Sequence, residues 1–112
     1  HDEIFLKFLS SLFKNYKTQR EVSFYANEQC ISPRYFTTII REKSGRSAIQ
    51  WIYTLVINDI KQMLETSNAS IKEIAEQYGF QTQSFFGKYF KQYVGVSPRA
   101  YRQKVLSEKS KK

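Results

Sequence analysis

Two sixteen-residue stretches of this chain lie over one another without a gap, and that repeat limits the possible folds more than any other feature. SPRYFTTIIREKSGRS, from Ser32, aligns with TQSFFGKYFKQYVGVS, from Thr82, every pair being fifty residues apart. Phe36 then meets Phe86, Ile40 meets Phe90, Arg41 meets Lys91 and Gly45 meets Gly95, so core positions fall on core positions and cations on cations. Just upstream, VSFYANEQCI from Val22 matches IKEIAEQYGF from Ile71 at an offset of 49, with Ala26 on Ala75; the second turn carries the extra residue. Each copy predicts a short helix, a tight turn and a second helix.

Between the copies lies SAIQWIYTLVINDIKQMLET, Ser47 to Thr66. Ser47 with Gln50 fits a capping box, in which the serine oxygen accepts a backbone N–H and the glutamine reaches back to the cap. Ile49, Ile52, Tyr53, Val56, Ile60, Met63 and Leu64 recur at three- and four-residue steps, and Trp51, Leu55 and Ile57 make other sides apolar too, so more than one face should be covered. One long helix serving two lobes is the expectation.

The remaining elements follow from caps and breakers. Ile4, Phe5, Phe8, Leu9, Leu12, Phe13 and Tyr16 form a broad apolar stripe over 2–16, a packing helix, and KTQREV then breaks the pattern. Ser23 can cap a short helix running through Gln29, with Phe24, Tyr25 and Ala26 inward, and Cys30 and Ile31 make the turn, the cysteine as a small buried residue. Ser32 suits an N-cap and Pro33 the first helical position, because the missing N–H has no intrahelical partner there. That helix should reach about Lys43 and stop at Gly45. Ser70 with Glu73 is a second capping box, Gly79 ends the short helix behind it, and the next helix should span about 82–93, burying Phe86, Phe90 and one or more of Phe85, Tyr89 and Tyr93. Ser97 and Pro98 open a last helix through Tyr101, Arg102 and Val105, with the tail SEKSKK frayed. The expected fold is all-α: seven helices in two helix-turn-helix subdomains, about 22–45 and 70–95, joined by the linker helix at about 47–66.

At 112 residues the chain is one small domain, and its 41% hydrophobic and 16% aromatic content is enough for a core. The formal charge of +8 favours an acidic partner, nucleic acid or an anionic surface. No apolar run approaches the roughly 20 residues that span a bilayer, and no leader pattern opens the chain, so a soluble cytoplasmic protein without membrane contact is expected. A lone cysteine provides no internal disulfide and no thiolate metal site. Neither metal nor cofactor is expected, and with no histidine-carboxylate cluster or Gly-rich phosphate loop, neither is an enzyme. The chain begins at His1, inside a helical pattern, and is read as a fragment whose missing part lies upstream.

In a helix-turn-helix the second helix enters the DNA major groove, and its N-terminal half meets base edges. Arg34, Thr37, Thr38 and Arg41 lie at i, i+3, i+4 and i+7, opposite Phe36, Ile39 and Ile40, with no carboxylate among them. In the second copy these positions hold Ser84, Gly87, Lys88 and Lys91, with Gln83 alongside. Arginine and lysine donate to guanine, glutamine matches adenine, and threonine offers a hydroxyl and a methyl to thymine; Gly87 lets the backbone come close. A bland alternative, solvated helix faces, fits one copy as well, but two copies and the charge favour double-stranded DNA. A linker of about 20 residues rises roughly 30 Å, close to the roughly 34 Å of one DNA turn, so one chain is expected to read two unlike half-sites and to be monomeric. The competing class, a basic helical module binding RNA or an acidic protein, is disfavoured because the aromatic residues fall on core faces and form no stacking platform.

The run Ser70, Ile71, Glu73, Ile74, Ala75, Gly79, Phe80, Ser84, Phe85, Phe86, Phe90, Lys91, Gly95, Ser97, Pro98, Tyr101 and Arg102 resembles the signature of the AraC/XylS family of bacterial transcription regulators, and Tyr35 through Gly45 with Trp51 and Ile52 resembles its first subdomain. The resemblance implies a DNA-binding domain that follows a ligand-sensing or signalling domain in the longer protein, with RNA polymerase as a further partner. By position it implies base reading by Arg34, Thr37, Thr38, Gln83, Ser84 and Lys88, and contacts to the DNA backbone from Arg41, Lys91, Arg99 and Arg102. The chain departs from the family where the linker often has arginine and alanine: here these are Val56 and Ile60. Small Ser84 and Gly87 imply that the second unit reads fewer bases and leans more on shape and phosphates.

Overall fold

The computed structural model describes residues 1–110 and, among them, seven helices and no strand. They are α1 (Asp2–Asn15), α2 (Val22–Glu28), α3 (Pro33–Ser44), α4 (Ala48–Thr66), α5 (Ile71–Gln77), α6 (Gln83–Val94) and α7 (Pro98–Ser110). The chain divides into two compact units, one over His1–Leu55 and one from Val56 onward, so the long helix α4 contributes to both.

In the first unit α1 packs on α2 and α3. Phe8 and Leu12 of α1, Tyr25 and Ala26 of α2 and Phe36, Ile39 and Ile40 of α3 are buried. Phe8 meets Tyr25 and Phe36 edge-on at centroid distances of 5.4 and 5.2 Å, a geometry that sets the positive ring edge on the negative face. The Tyr25 hydroxyl keeps a partner by donating to Gln19 O at 2.7 Å, and burial, then the nearby Glu28 carboxylate, pushes its pKa up to about 12. Ala48 and Ile52 of α4 are buried in this part of the chain, and the Ser47–Gln50 box forms as expected, with Gln50 N donating to Ser47 Oγ at 3.2 Å and Ser47 N to Gln50 Oε1 at 2.9 Å.

The second unit repeats this plan. Val56, Ile57, Ile60 and Leu64 of α4, Ile74, Ala75 and Tyr78 of α5 and its C-cap, Phe80 of the turn and Phe86 and Phe90 of α6 are buried. Tyr78 donates to Asp59 Oδ2 at 2.7 Å, and Phe90 packs edge-on against Tyr101 of α7. Ser70 and Glu73 make both halves of their capping box.

The two turns match in hydrogen bonding. Ile31 N donates to Ala26 O and Cys30 N to Asn27 O; Phe80 N donates to Ala75 O and Gly79 N to Glu76 O, all between 2.9 and 3.2 Å. The pattern requires a left-handed residue, supplied by Gly79 at φ 71 and by Cys30 at φ 58, where a side chain is strained. Cys30 is exposed, contrary to the expected buried turn residue, because the left-handed backbone turns its side chain outward.

Other departures from the sequence reading have local causes. Ser23 does not cap α2: the helix starts at Val22 after an extended Glu21, which makes no side-chain capping bond, and Ser23 lies inside it. Phe13 and Ile49, placed on apolar stripes by spacing, are 60% and 40% exposed, since the stripes are wider than the surfaces that cover them. The helix α7 continues through Ser107–Ser110, where fraying was expected, held by Lys109 Nζ on Glu65 O at 3.0 Å; Lys111 and Lys112 of that tail lie outside the described residues.

Candidate nucleic-acid interface

The helices α3 and α6 start and end in the same way. Tyr35 N donates to Ser32 Oγ at 3.1 Å and Phe85 N to Thr82 Oγ1 at 3.0 Å, so each extended cap residue satisfies one of the first-turn donors. At the other end Gly45 and Gly95 take left-handed conformations, and each N–H donates 2.8 Å to the carbonyl of Arg41 or Lys91. Each helix has one face fixed in its unit's core, by Phe36, Ile39 and Ile40 or by Phe86 and Phe90. The opposite side is therefore held outward.

On α3 the side chains of Arg34, Thr38 and Arg41 are exposed and Thr37 is half-buried. Thr38 spends its hydroxyl proton on Arg34 O at 3.1 Å, which leaves oxygen lone pairs and a methyl for anything approaching the face. On α6 Gln83, Ser84, Lys88 and Lys91 are exposed, and an added Cβ at Gly87 would meet nothing within 4 Å. Among the described residues no ion pair engages Arg34, Arg41, Lys88 or Lys91, whereas Lys7 pairs with Glu3 and Lys43 with Asp2. Lys43, 2.8 Å from Asp2, holds that carboxyl below its ordinary range through a hydrogen bond and its charge. The candidate faces thus carry uncompensated positive charge, the condition under which phosphate is attracted most strongly.

Arg99 and Arg102 separate. Arg99 is exposed in the first turn of α7. Arg102 is turned into its own unit: Nε donates to Leu64 O at 3.0 Å, Nη1 to Ala69 O at 2.7 Å and Nη2 to Ser67 O at 3.3 Å. The last carbonyls of a helix lack intrahelical partners, and the guanidinium satisfies one of them together with two in the following loop. Arg102 is thus a staple from α7 to the end of α4. Tyr101 beside it donates to Glu65 Oε2 at 2.7 Å; burial, that bond and the charges of Glu65 and Glu108 push its pKa up to about 12. Arg46 is likewise employed internally, over the Trp51 ring and on Thr54 Oγ1 at 2.8 Å.

Sequence reasoning passed over the aromatic residues flanking the stripes. Tyr35 and Phe85, equivalent in the overlay, are 44% and 55% exposed. The sequence carries a signal for this: Tyr35 has a polar tip at the position where the second copy has Phe85. No group of three or more His, Cys, Asp and Glu side chains is placed to hold a metal among the described residues, and no helix there is long and apolar enough to cross a membrane.

Comparison with known proteins agrees with this geometry. The profile of a family described as a helix-turn-helix domain matches residues 25–104. The raffinose operon transcriptional regulatory protein RafR of Pediococcus pentosaceus is 32% identical over 97 residues, which cover 87% of this chain and 35% of RafR. The chain spans about a third of the length of RafR and of two further curated relatives that it matches. Among solved structures, the DNA-binding domain of the global transcriptional factor AdpA, crystallised with a target DNA, superimposes with a TM-score of 0.77 at 25% identity, covering 96% of this chain and 97% of that one. The C-terminal domain of AraT, a response regulator from Geobacillus stearothermophilus, gives 0.78 at 27% identity, covering 90% and 84%. The family match takes in well over half of the chain, and the relatives and structural neighbours are regulators of one kind: the chain belongs to the helix-turn-helix family of AraC-type regulators, as a DNA-binding domain.

Proposed function

We propose that this domain reads one double-stranded DNA site with two helices, α3 and α6, each entering a major-groove segment. Arg34, Thr37 and Thr38 read bases from the first, and Gln83, Ser84 and Lys88 from the second. Arg41, Lys91 and Arg99 hold phosphates. The observation that carries the reading is the pair of equivalent helices, each anchored by a buried apolar face and each presenting exposed cations, Arg34 and Arg41 or Lys88 and Lys91, that have no ion pair among the described residues. AdpA, whose domain has the same fold over almost the whole chain, was crystallised on its target DNA, which supports DNA as the ligand.

In the longer protein this domain follows a sensor or signalling domain and contacts RNA polymerase. AraT supports the first, since its matching part is the C-terminal domain of a response regulator, and the naming of RafR as a transcriptional regulator supports the second. The helix-turn-helix units occupy about 22–45 and 70–95, with the linker at about 47–66. Two reading helices in one chain make a dimer unnecessary, so the isolated domain is monomeric, and bacterial DNA as the partner places it in the cytoplasm.

Lys88 and Lys91 test the division between reading and holding. Lys88 lies in the N-terminal half of α6, where side chains reach base edges, and Lys91 in the last turn. Lys88→Ala should cost about 1–3 kcal/mol and relax preference at one or two base pairs, whereas Lys91→Ala should weaken all sequences alike and lower the salt slope by about 1. Salt titrations on a preferred duplex and its point variants measure both. Equal losses on every sequence for Lys88→Ala would make that side chain a phosphate contact and leave base reading to Gln83 and Ser84.

A further inference from the structure

Phe85 is a phenylalanine that the fold does not bury. It is the third residue of α6, directly before Phe86, yet it is 55% exposed where Phe86 is 0% exposed. One side of its ring rests on Phe80, with centroids 6.1 Å apart and planes tilted by 44°. Phe80 is itself 5% exposed and packs on Phe86 and Tyr89 at 5.1 and 5.3 Å, so the exposed ring is braced from beneath. Exposed apolar side chains occurring singly are ordinary; the surroundings set this one apart. Ser84 precedes it, and Lys88 stands one turn further on, about 60° around the helix. Ser84, next to it on the candidate reading stripe, is short and exposed, so the ring stands clear at the edge of that stripe.

The equivalent residue in the first unit sharpens the point. Tyr35 ends in a hydroxyl that is hydrogen-bonded to His1 Nε2 at 3.1 Å. Phe85 has no polar atom, and whatever it touches on a base edge it touches by apolar contact alone. The major-groove edges of the base pairs carry one apolar substituent, the C5-methyl of thymine. We propose that Phe85 packs on a thymine C5-methyl group, and so specifies thymine at one position of the segment that α6 reads. This rests on the DNA-reading function above and adds to it an apolar contact that the hydrogen-bonding residues on α6 do not make. Because the ring is already held by Phe80, little side-chain freedom is lost when the methyl arrives.

The experiment removes the methyl without touching the protein. Duplexes preferred by the 112-residue chain are selected from a random pool, and each thymine of the preferred site is replaced in turn by deoxyuridine, which keeps every hydrogen-bonding group. At one or two positions the substitution should weaken binding by roughly fourfold, the effect of burying about one methyl group. Phe85→Ala should bind the parent site more weakly and be insensitive to deoxyuridine at that same position, while Phe85→Leu, which keeps an apolar contact on Phe80, should retain part of the sensitivity. Circular dichroism confirms that both variants are folded, and the wild-type scan stands without them. A preferred duplex whose thymines all tolerate deoxyuridine, or a penalty as large in folded Phe85→Ala as in wild type, overturns the contact and leaves the DNA reading intact. A pool that yields no preferred duplex overturns the reading, and the contact with it.

Discussion

Cys30 and Gly79 hold the same place in the two turns, with the same hydrogen bonds and both at positive φ. Only the glycine suits that backbone. A non-glycine residue in the left-handed region costs about 1–2 kcal/mol, against roughly 0.5–1 kcal/mol of extra chain entropy that glycine loses on folding. Cys30→Gly should therefore stabilise the domain by about 0.5–1 kcal/mol, and Gly79→Ala should destabilise it by about the same amount; urea unfolding of both measures this. A less stable Cys30→Gly would mean that the thiol contributes more than its backbone costs. The overlay of the two copies already placed Cys30 on the turn glycine, but the exposure of its side chain follows from a dihedral angle that a single letter does not display. Arg102 is a similar case: its presence in the family signature was visible, while its employment on three carbonyls depends on where α4 ends and how α7 returns to it.

At the scale of elements, the best-read features were those whose cause is local. Ser32, Ser47 with Gln50 and Ser70 with Glu73 all cap as their spacing predicts, because a cap needs only the residues that form it. The start of α2 differs from the Ser23 cap that the sequence suggests, because Glu21 stands at the cap without a side-chain bond and no letter pattern marks it. Ser70→Ala should cost on the order of 1 kcal/mol, read as a fall in Tm; an unchanged Tm would remove Ser70 from the capping role. The Glu73 carboxyl is held below its ordinary 4.5 by the backbone N–H of Ser70, and then by the Ser70 side chain. A depressed native pKa gives stability that is present above the ordinary value and is lost as pH falls through 4.5 toward the lowered one. Glu73→Gln keeps an oxygen for the Ser70 N–H but does not titrate, so its stability should decline less steeply below pH 4.5 than that of wild type; parallel curves would contradict the assignment. Gly87 joins stability to function within α6. Gly87→Ala should raise stability by nearly 1 kcal/mol through helix propensity, since the new Cβ meets nothing within 4 Å. If Gly87 lets the α6 backbone approach the groove, the same variant should bind DNA more weakly, and a variant both more stable and equally tight would deny it that role.

For the molecule as a whole, the repeat made two matched units legible, and hydrophobic period gave most of the core: Phe36, Ile40, Ile60, Ile74, Phe86 and Phe90 are buried as their spacing requires. What it could not give was how far each apolar surface would be covered. Phe13 and Ile49 fall on helical stripes yet face water, and Phe85 sits beside core residues yet stands out from them, since coverage is decided by the neighbouring helix and not by the residue's own period. The candidate reading face was legible for the same reason the core was, as the complement of a buried stripe. Its base preferences are a property of DNA as much as of protein, and they lead to the measurement that bears most directly on the central claim, that one chain reads two unlike DNA segments through two equivalent helices. Duplexes are selected from a random pool by the wild-type chain, by Arg34→Ala and by Lys88→Ala, and the enriched sequences are compared. The account predicts a non-palindromic site of two segments, with Arg34→Ala relaxing one and Lys88→Ala the other. Enrichment of no sequence at all, or relaxation of the same base pairs by both variants, would contradict it.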